Sequence, residues 1–383
     1  MDNWNKKKLG DIAFEVRKTF EPNGNNSVPY VGLKHISKGD LHLIGSGDSS
    51  DTKSKKRKFK KGDILFGSLR PYFRKVARPS FNGVCSTDIT VIRSKDGTNQ
   101  SFLNYLIASQ DFIDHSDKIS SGSRMPRANW KVLEESEWKI PDIKTQQKIA
   151  SILSAFDDLI ENNTRRIEIL EEMARRIYRE WFVYFRYPDH EKDELVDSGT
   201  DLGEIPEGWE VKKLKDSLKF KNGKSPQTKE GKEYPVYGSN GIIGKCNEPG
   251  WEDGVIIGRV GAYCGSVEYC EGKFWGSDNT IVATTGEEYD FPLFAYYKLE
   301  DLNLRRYAGG SAQPLMTQKV IKDIKVAIPS NELLEQFCKQ ARDLWKLKRN
   351  LEKQNKKLKE TRDLLLPKLI SGEVEVDELK LNK

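Results

Sequence analysis

The sequence has few of the residues on which metal centres, disulfide scaffolds and membrane spans depend. Its five cysteines lack metal-ligand spacing, and their odd number favours a reducing compartment. The four histidines include no pair at ligand spacing, so no metal site is predicted. No apolar run approaches the ~18 residues of a membrane helix, and no secretory signal is recognisable. We therefore expect a cytoplasmic protein without membrane association.

Catalytic motifs are also missing. The segment NGKS at 222–225 ends like a phosphate-binding loop, but Leu218 stands where that loop needs its first glycine. The glycines of GRVGAYCG at 258–265 lack dinucleotide-binding spacing and are better explained by a tightly packed strand and turn. Asp88 and Asp278 lack the neighbouring acid and lysine that metal-dependent DNA cleavage needs, so a structural role is favoured for both. We predict no catalytic residues, which indicates a binding protein.

The net charge is modest, and its distribution is more informative than its sum. The chain carries +6 over 64 basic and 58 acidic residues. Seven of the nine residues in KSKKRKFKK, at 53–61, are basic. Such a run is either a solvated loop or part of a phosphate-binding surface, because clustered Lys and Arg side chains are the electrostatic footprint of nucleic-acid binding.

The most informative feature is an internal repeat. GSRMPRANWKVLEESEWKIP at 122–141 matches GSAQPLMTQKVIKDIKVAIP at 310–329, with seven identical residues in register 188 positions apart. A second match, between STDITVI and GSDNTIV, aligns Asp88 with Asp278. The chain therefore consists of two diverged copies of one unit.

Each copy is predicted to be an α+β domain followed by a long helix. The β-rich runs GDILFGSL and DITVIRS predict strands in the first copy, as GVIIGRVGAYC and NTIVATT do in the second. SFLNYLIASQDFI and FPLFAYYKLEDL predict helices. The expected fold is α+β, with two pseudo-symmetric globular domains separated by two long antiparallel coiled-coil helices. The predicted segments are a first globular domain at 1–143, a long helix at 144–186, a linker at 187–207, a second globular domain at 208–330, a long helix at 331–371 and a tail at 372–383.

Both long helices have the apolar periodicity of a coiled coil. In the first, seam positions alternate by four and three residues, and Asn163 is a polar member of the kind that commonly fixes register. In the second, leucines recur at intervals of seven, with Lys348, Asn355 and Arg362 between them. A helix of ~40 residues is about 60 Å long, so two such helices predict a rigid spacer. The predicted seam consists of Ile149, Leu153, Phe156, Ile160, Asn163, Ile167, Leu170, Ala174, Ile177, Trp181, Leu344, Leu351, Leu358 and Leu365.

The loops of both copies contain polar and basic residues suited to DNA. Lys and Arg neutralise phosphates, whereas Arg, Asn, Gln and Ser form hydrogen bonds with base edges, although any one of them alone is more often a plain surface residue. These loops differ between the copies far more than the strands do, which is expected of two modules with one frame and different targets. The candidate DNA-binding residues are Lys55, Lys56, Arg57, Lys58, Arg70, Arg74, Lys75, Arg124, Arg127, Lys221, Lys224, Ser239, Asn240, Arg259, Tyr263 and Gln313.

Three stretches resemble the specificity subunits of type I restriction–modification enzymes: DLGEIPEGWEVKKL at 201–214, EEMARRIYREWFVYF at 171–185 and TRDLLLPKLISGEVEV at 361–376. The resemblance covers essentially the whole chain. It implies two target recognition domains that each read one half of a bipartite, asymmetric site on double-stranded DNA, with helices that fix the spacer. It also implies docking of two methyltransferase subunits, which bind S-adenosylmethionine and methylate adenine, and association with restriction subunits, motor-nucleases that use ATP and magnesium. No cofactor is expected in this chain itself.

The resemblance also suggests a role for the repeated loops. They would be equivalent elbows at which each recognition domain turns back into its helix, with Gly and Pro needed for the backbone. Arg124 and Arg127 add cations in the first copy, but Ala312 and Leu315 occupy those places in the second. The shared role of the motif is therefore expected to be structural.

Two functions of other classes remain open from the residues alone. One is a homomeric coiled-coil scaffold for protein partners, with peptide-binding repeats. The other is an enzyme that cuts DNA by itself.

Overall fold

The chain divides into two compact units, and each unit contains one globular part together with part of both long helices. The first unit comprises residues 1–164 and 352–383, and the second residues 165–351. Within the described ranges, no helix is both long and apolar enough to cross a lipid bilayer. The computed structural model describes residues 4–22, 27–122, 124–226, 231–286, 291–310 and 314–376.

The first globular part combines short strands with short helices. Its strands are β1 (Asn5–Lys8), β2 (Ala13–Glu15), β3 (Thr19–Phe20), β4 (Pro29–Val31), β5 (Gly47–Asp48), β6 (Lys56–Phe59), β7 (Ile64–Gly67), β8 (Val76–Ala77), β9 (Gly83–Cys85), β10 (Ile89–Ser94) and β11 (Glu137–Ile140). Its helices are α1 (Leu9–Ile12), α2 (Gln100–Ala108), α3 (Gln110–Lys118) and α4 (Trp130–Leu133), and the long helix α5 (Ile143–Phe182) follows. The sheets have the strand orders β2-β10-β7-β8, β3-β6-β9-β4-β5 and β1-β11.

The helix predicted from SFLNYLIASQDFI is divided into two. The backbone N–H of Ser109 bonds to the Leu106 carbonyl and ends α2, while its hydroxyl accepts a hydrogen bond from the Phe112 N–H and caps α3. A serine that offers the backbone such an alternative partner favours a cap over a helix interior. Phe102 and Phe112 are fully buried on either side of the break, so both helices contribute to the same core.

The second globular part repeats this plan. Its strands are β12 (Leu195–Asp197), β13 (Glu204–Pro206), β14 (Glu210–Lys213), β15 (Leu218–Asn222), β16 (Tyr234–Gly238), β17 (Gly241–Cys246), β18 (Trp251–Gly258), β19 (Val267–Gly276), β20 (Thr280–Thr285) and β21 (Lys325–Ile328). Its helices are α6 (Leu214–Ser217), α7 (Pro292–Asp301) and α8 (Gln318–Lys322), before the long helix α9 (Asn331–Ser371). The sheets have the strand orders β15-β20-β18-β19-β16-β17, β14-β21 and β12-β13. The duplicated α+β fold is thus confirmed.

Strand register corrects one predicted equivalence between the copies. In β7 and β10, Gly67 lies opposite Ile89, and in β18 and β20, Gly258 lies opposite Thr280. The preceding residue, Asp88, therefore corresponds to Asn279 and not to Asp278. The sequence alignment of the two copies was one residue out of register here, because it matched two aspartates in a loop. The pairing of the strands determines which residues are equivalent.

The repeated loops are not the turns into the long helices. In the first copy, α4 and β11 lie between the loop and α5, and in the second, α8 and β21 lie between the loop and α9. Gly122 and Gly310 have φ angles of 104° and 86°, which favour glycine. The loops instead lie against a strand end: the Pro126 carbonyl accepts from the Arg70 N–H at 2.7 Å, and the Pro314 carbonyl accepts from the Gly261 N–H at 3.1 Å.

In the first unit, α5 and α9 are antiparallel. Ile149 and Leu153 are fully buried in one cluster with Leu366 and Leu369. Further along the pair, Asn355 Nδ2 donates to the Ile160 carbonyl at 3.3 Å. Of the seam residues in this unit, Asn163 is buried, whereas Phe156, Leu358 and Leu365 are half-buried.

A polar residue at the centre of this interface is satisfied by ion pairing. Arg362 is 1% exposed, and its Nη1 lies 2.7 Å from Asp157 Oδ1. The Tyr105 hydroxyl donates to the other oxygen of Asp157 at 2.6 Å. Arg362 also donates to the side chain of Asp363. Burial lowers the pKa of the guanidinium, but the carboxylates of Asp157 and Asp363 more than offset this and raise it. A buried charge needs such partners, so this network offsets the cost of burying Arg362 between the helices.

The second unit packs its helix segments through aromatic residues. Phe337 lies 5.9 Å from Tyr178 and 5.0 Å from Phe182, measured between ring centroids. Trp181 and Leu351 are buried as predicted, while Ile167, Leu170, Ile177 and Leu344 are half-buried. Tyr178, next to the predicted Ile177, is fully buried because an α-helix has 3.6 residues per turn and drifts from a strict 3.5-residue seam.

The helix α5 ends at Phe182, whereas the sequence predicted an end four residues later, at residue 186. The Tyr184 N–H bonds to the Arg179 carbonyl and the Arg186 N–H to the Glu180 carbonyl. Phe185 between them has a φ of 58°, in the left-handed region. These groups close the last turn, because its final carbonyls have no partners further along the helix.

Candidate nucleic-acid interface

The first unit contains a polar cleft of about 730 Å³ beside the ends of β7 and β10. Glu15, only 9% exposed, lies in its wall and pairs with Arg57 and with Arg17, whose Nε is 2.8 Å from the carboxylate. Arg127 pairs with Asp88. Four cations against one acid give the lining a net positive charge, and hydroxyls provide further donors. The lining residues with polar side chains are Glu15, Arg17, Thr19, Arg57, Ser68, Thr87, Thr90, Ser121, Arg127, Asn129 and Lys131.

The basic run at 53–61 forms strand β6 and its flanks, not a solvated loop. Lys56 is 3% exposed, donates to the Ser54 carbonyl at 2.6 Å and lies over the Tyr30 ring. Burial lowers the pKa of its ammonium group. The Lys56 ammonium group is therefore enclosed by protein groups. Two neighbouring lysines are exposed: Lys58 lies over the Phe20 ring, and Lys55, just before the strand, lies beside Glu21.

The loop after β7 brings three predicted residues together. Arg70 and Arg74 flank the single turn Pro71–Phe73 with φ angles of 53° and 51°, a conformation that is costly for a side chain other than glycine and that concentrates at functional sites. Arg70 Nη2 donates to the carbonyl of Arg124 at 3.2 Å. Lys75 donates to the Leu33 carbonyl, and burial lowers the pKa of its ammonium group. Two of the three side chains thus bond to main-chain carbonyls outside the loop.

In the second unit, predicted residues lie at two neighbouring turns. Ser239 and Asn240 form the tip between β16 and β17, and the Ser239 hydroxyl donates to the Asn279 carbonyl at 2.8 Å. Arg259 follows β18, and its backbone N–H donates to that same carbonyl at 2.9 Å. Tyr263, after the next turn, is 55% exposed. Lys221 and Lys224 are exposed at the end of β15, and Gln313 lies outside the described residues.

Three arginine donors lack a protein partner. The Nε atoms of Arg70, Arg74 and Arg259 are buried and, within the described part of the chain, donate to no hydrogen-bond acceptor. An unpaired buried donor is costly, and its presence in a native protein calls for a ligand, an ion or water to complete it. All three belong to the loops that follow the equivalent strands β7 and β18.

The sequence did not indicate several residues of the cleft. Glu15, Arg17 and Lys131 had no distinguishing pattern. Glu15 reaches the cleft through the pairing of β2 with β10, Arg17 follows two residues later, and Lys131 comes from α4. Two further cleft residues, Ser68 and Ser121, could have been proposed from their position, because they lie close in sequence to predicted loop residues. Among the described residues, no group of three or more His, Cys, Asp and Glu side chains is placed to hold a metal ion.

A duplicated α+β fold, with cations, hydroxyls and unpaired guanidinium donors gathered at equivalent strand ends, is an arrangement suited to binding nucleic acid. Comparison with known proteins then identifies the family. A sequence profile of the type I restriction modification DNA specificity domain matches residues 1–172 and 206–360. The chain belongs to the specificity-subunit family of type I restriction–modification enzymes, whose role is non-catalytic DNA recognition.

Individual relatives agree over the full length. The chain is 28% identical to the type I restriction enzyme MjaIX specificity subunit of Methanocaldococcus jannaschii, over 98% of this chain and 95% of that protein. It is 25% identical to the HindI specificity subunit of Haemophilus influenzae, over 98% and 100% of the two chains. The crystal structure of a type I restriction-modification S subunit from M. genitalium has the same fold, with a TM-score of 0.63, 19% identity and 96% of both chains covered.

Proposed function

We propose that this chain is the sequence-specificity subunit of a type I restriction–modification complex and that each globular part reads one half of a bipartite, asymmetric DNA site. The observation that carries the proposal is a conserved backbone with different side chains. Equivalent strand ends and loops make the same main-chain hydrogen bonds in both copies, but they present different polar groups. A shared frame with different base-reading groups is what two unlike half-sites require.

The long helices are proposed to set the distance between the half-sites. A rod of ~40 residues at 1.5 Å per residue is about 60 Å long. The buried Arg362–Asp157 pair and the aromatic packing around Phe337 make each helix pair stiff. A stiff rod fixes a spacer length, whereas a flexible linker would tolerate many.

The same helices are proposed to dock two methyltransferase subunits. Large apolar side chains remain exposed along them, among them Leu159, Ile169 and Met173 on α5 and Leu347 on α9. S-adenosylmethionine would be bound by those partners, and ATP and magnesium by associated restriction subunits. The assembly would work in the cytoplasm, where it would methylate adenine in its site and restrict unmodified DNA.

Methylation mapping tests this function directly. Cells that lack other adenine methylation would express the chain with its partner methyltransferase, and the genome would be sequenced for methyladenine. The proposal predicts one bipartite motif with a fixed spacer. Methylation without a motif, or a single continuous motif, would contradict it.

The two alternatives have their own readouts. A nuclease would cut DNA when the purified chain is incubated with magnesium. A homomeric protein scaffold would form oligomers. In a DNA-binding assay of the chain together with its methyltransferase, it would show no preference for any DNA sequence.

A further inference from the structure

Arg127, which lines the cleft, forms an ion pair with Asp88 at its edge. Arg127 Nη2 donates to Asp88 Oδ1, and the two side chains are 59% and 28% exposed, respectively. The pair lies where the start of β10, the end of β7 and the repeated loop meet. It is therefore a donor–acceptor pair that solvent, or a ligand in the cleft, can reach.

Main-chain hydrogen bonds hold both members in place. The Asp88 carbonyl accepts from the Ser68 N–H at 2.9 Å and from the Ser68 hydroxyl at 2.9 Å. Arg127 exchanges two main-chain hydrogen bonds with Ser121, at 3.0 and 3.2 Å, and the next residue, Ala128, bonds to the Ser68 carbonyl at 3.0 Å. Side chains on such a fixed backbone are preorganised for recognition.

The second copy has the same backbone with different side chains. The Asn279 carbonyl accepts from the Arg259 N–H at 2.9 Å, and Leu315 exchanges two main-chain hydrogen bonds with Gly309, at 2.8 and 3.0 Å. Asn279 therefore replaces Asp88, and Leu315, which is 40% exposed, replaces Arg127. The second copy therefore keeps these main-chain hydrogen bonds without an ion pair, so the backbone arrangement does not require one.

The chemistry of these side chains matches particular base pairs. In the major groove, guanine offers the acceptors O6 and N7 to arginine, and cytosine offers its N4 donor to a carboxylate. Arg127 has five N–H donors, of which the contact with Asp88 uses one, and the second carboxylate oxygen of Asp88 makes no other hydrogen bond among the described residues. Asparagine instead pairs with adenine, and apolar groups contact the thymine methyl.

We propose that Asp88 and Arg127 read a G·C base pair in the half-site of the first copy and that Asn279 and Leu315 read an A·T pair at the equivalent place in the other half-site. This inference rests on the proposed function. It concerns which residues determine specificity and which bases they select.

The test transplants the second pair into the first copy. The double variant Asp88→Asn, Arg127→Leu would be expressed with the partner methyltransferase, and its methylated motif would be mapped. One G·C position in one half-site should become A·T, with a change in preference of roughly 10- to 100-fold. The other half-site and the spacer should be unchanged. An unaltered motif, or a change in both halves, would overturn the proposal.

A charge-reversed variant separates reading from support of the fold. Asp88→Arg combined with Arg127→Asp retains an ion pair but exchanges its donor and acceptor, so the preferred base pair should change at that same position. If the reversed variant methylates the original motif, or if both double variants lose all methylation, the pair is structural and the inference fails. The proposed function is judged separately, since the unmodified chain either has a bipartite motif or has none.

Discussion

Lys298 is buried in the second unit without an acid partner, and its replacement should stabilise the protein. The side chain is 9% exposed on α7, and its ammonium group lies 5.8 Å from the Tyr178 ring centroid and 5.5 Å from that of Phe294. Within the described residues no carboxylate lies within ion-pair distance of it. Burial lowers the pKa of Lys298 from 10.5 to about 8. This difference corresponds to about 3 kcal/mol of unfolding free energy.

The sign follows from proton linkage. The folded pKa is lower than the unfolded pKa, so between pH 8 and 10.5 the unfolded chain binds more protons and stability rises with pH. Below pH 8 the cost of the buried cation is complete. Lys298→Met retains the aromatic contacts through a flexible, apolar side chain. It should therefore stabilise the second unit by about 3 kcal/mol at neutral pH, and this advantage should shrink as the pH approaches 10.5.

Urea denaturation of the two proteins from pH 7 to pH 10.5 measures the effect. The difference between variant and parent is the quantity to follow, because tyrosines and other lysines titrate equally in both. Lys319→Met, at an exposed position on α8, is the matched control and should give a difference independent of pH. A difference for Lys298→Met that also stays constant with pH would refute the reasoning.

Three further predictions concern the helices and the basic strand. Arg362→Ala should lower the stability of the first unit by about 2–3 kcal/mol, because it deletes a fully buried side chain and leaves the partly exposed carboxylate of Asp157 without its cation; thermal unfolding measures this, and a second change, Asp157→Asn, should recover part of the loss. Neutralising the exposed Lys55 and Lys58 should reduce the salt dependence of DNA binding by about 0.9 in slope per contact, whereas Lys56→Met should leave the slope unchanged; equal slopes in all variants would contradict the assignment. Inserting one heptad into each long helix adds about 10 Å, the length of about three base pairs. Three added base pairs would rotate one half-site by about 100° relative to the other. We therefore expect the methylated motif to gain only about one or two base pairs of spacer, with weaker activity and unchanged half-sites.

The repeat made the architecture predictable from sequence. The β-rich runs around Gly67 and Gly258 were recognisable because buried strands need consecutive apolar residues, and the long helices were recognisable because their apolar stripe recurs over many turns. The break between α2 and α3 at Ser109 was not predicted, because the apolar pattern continues through this residue. Capping depends instead on the position of a single hydroxyl group. Such local competition between cap and helix leaves little trace in periodicity.

The site was predicted less completely than the fold. Lys56 could not be separated from Lys58, since residues two apart in a strand share a face, and only the tertiary contacts bury Lys56 while Lys58 stays exposed. Arg57 is paired with Glu15, which is 42 positions away and was not recognised as a partner. Asp88 was assigned a structural role because it lacks a neighbouring acid and lysine, and its pairing with Arg127, 39 positions away, was not anticipated. Residues that tertiary pairing brings together carry no local signal.

The central claim is that the two copies read DNA independently on a common frame. Its most direct test replaces residues 208–330 with the matching region of another specificity subunit and maps the methylated motif of the chimaera. The account predicts that one half of the bipartite motif is exchanged for that of the donor, with the other half and the spacer unchanged. Altered bases in both halves, or a motif identical to that of the parent, would contradict it.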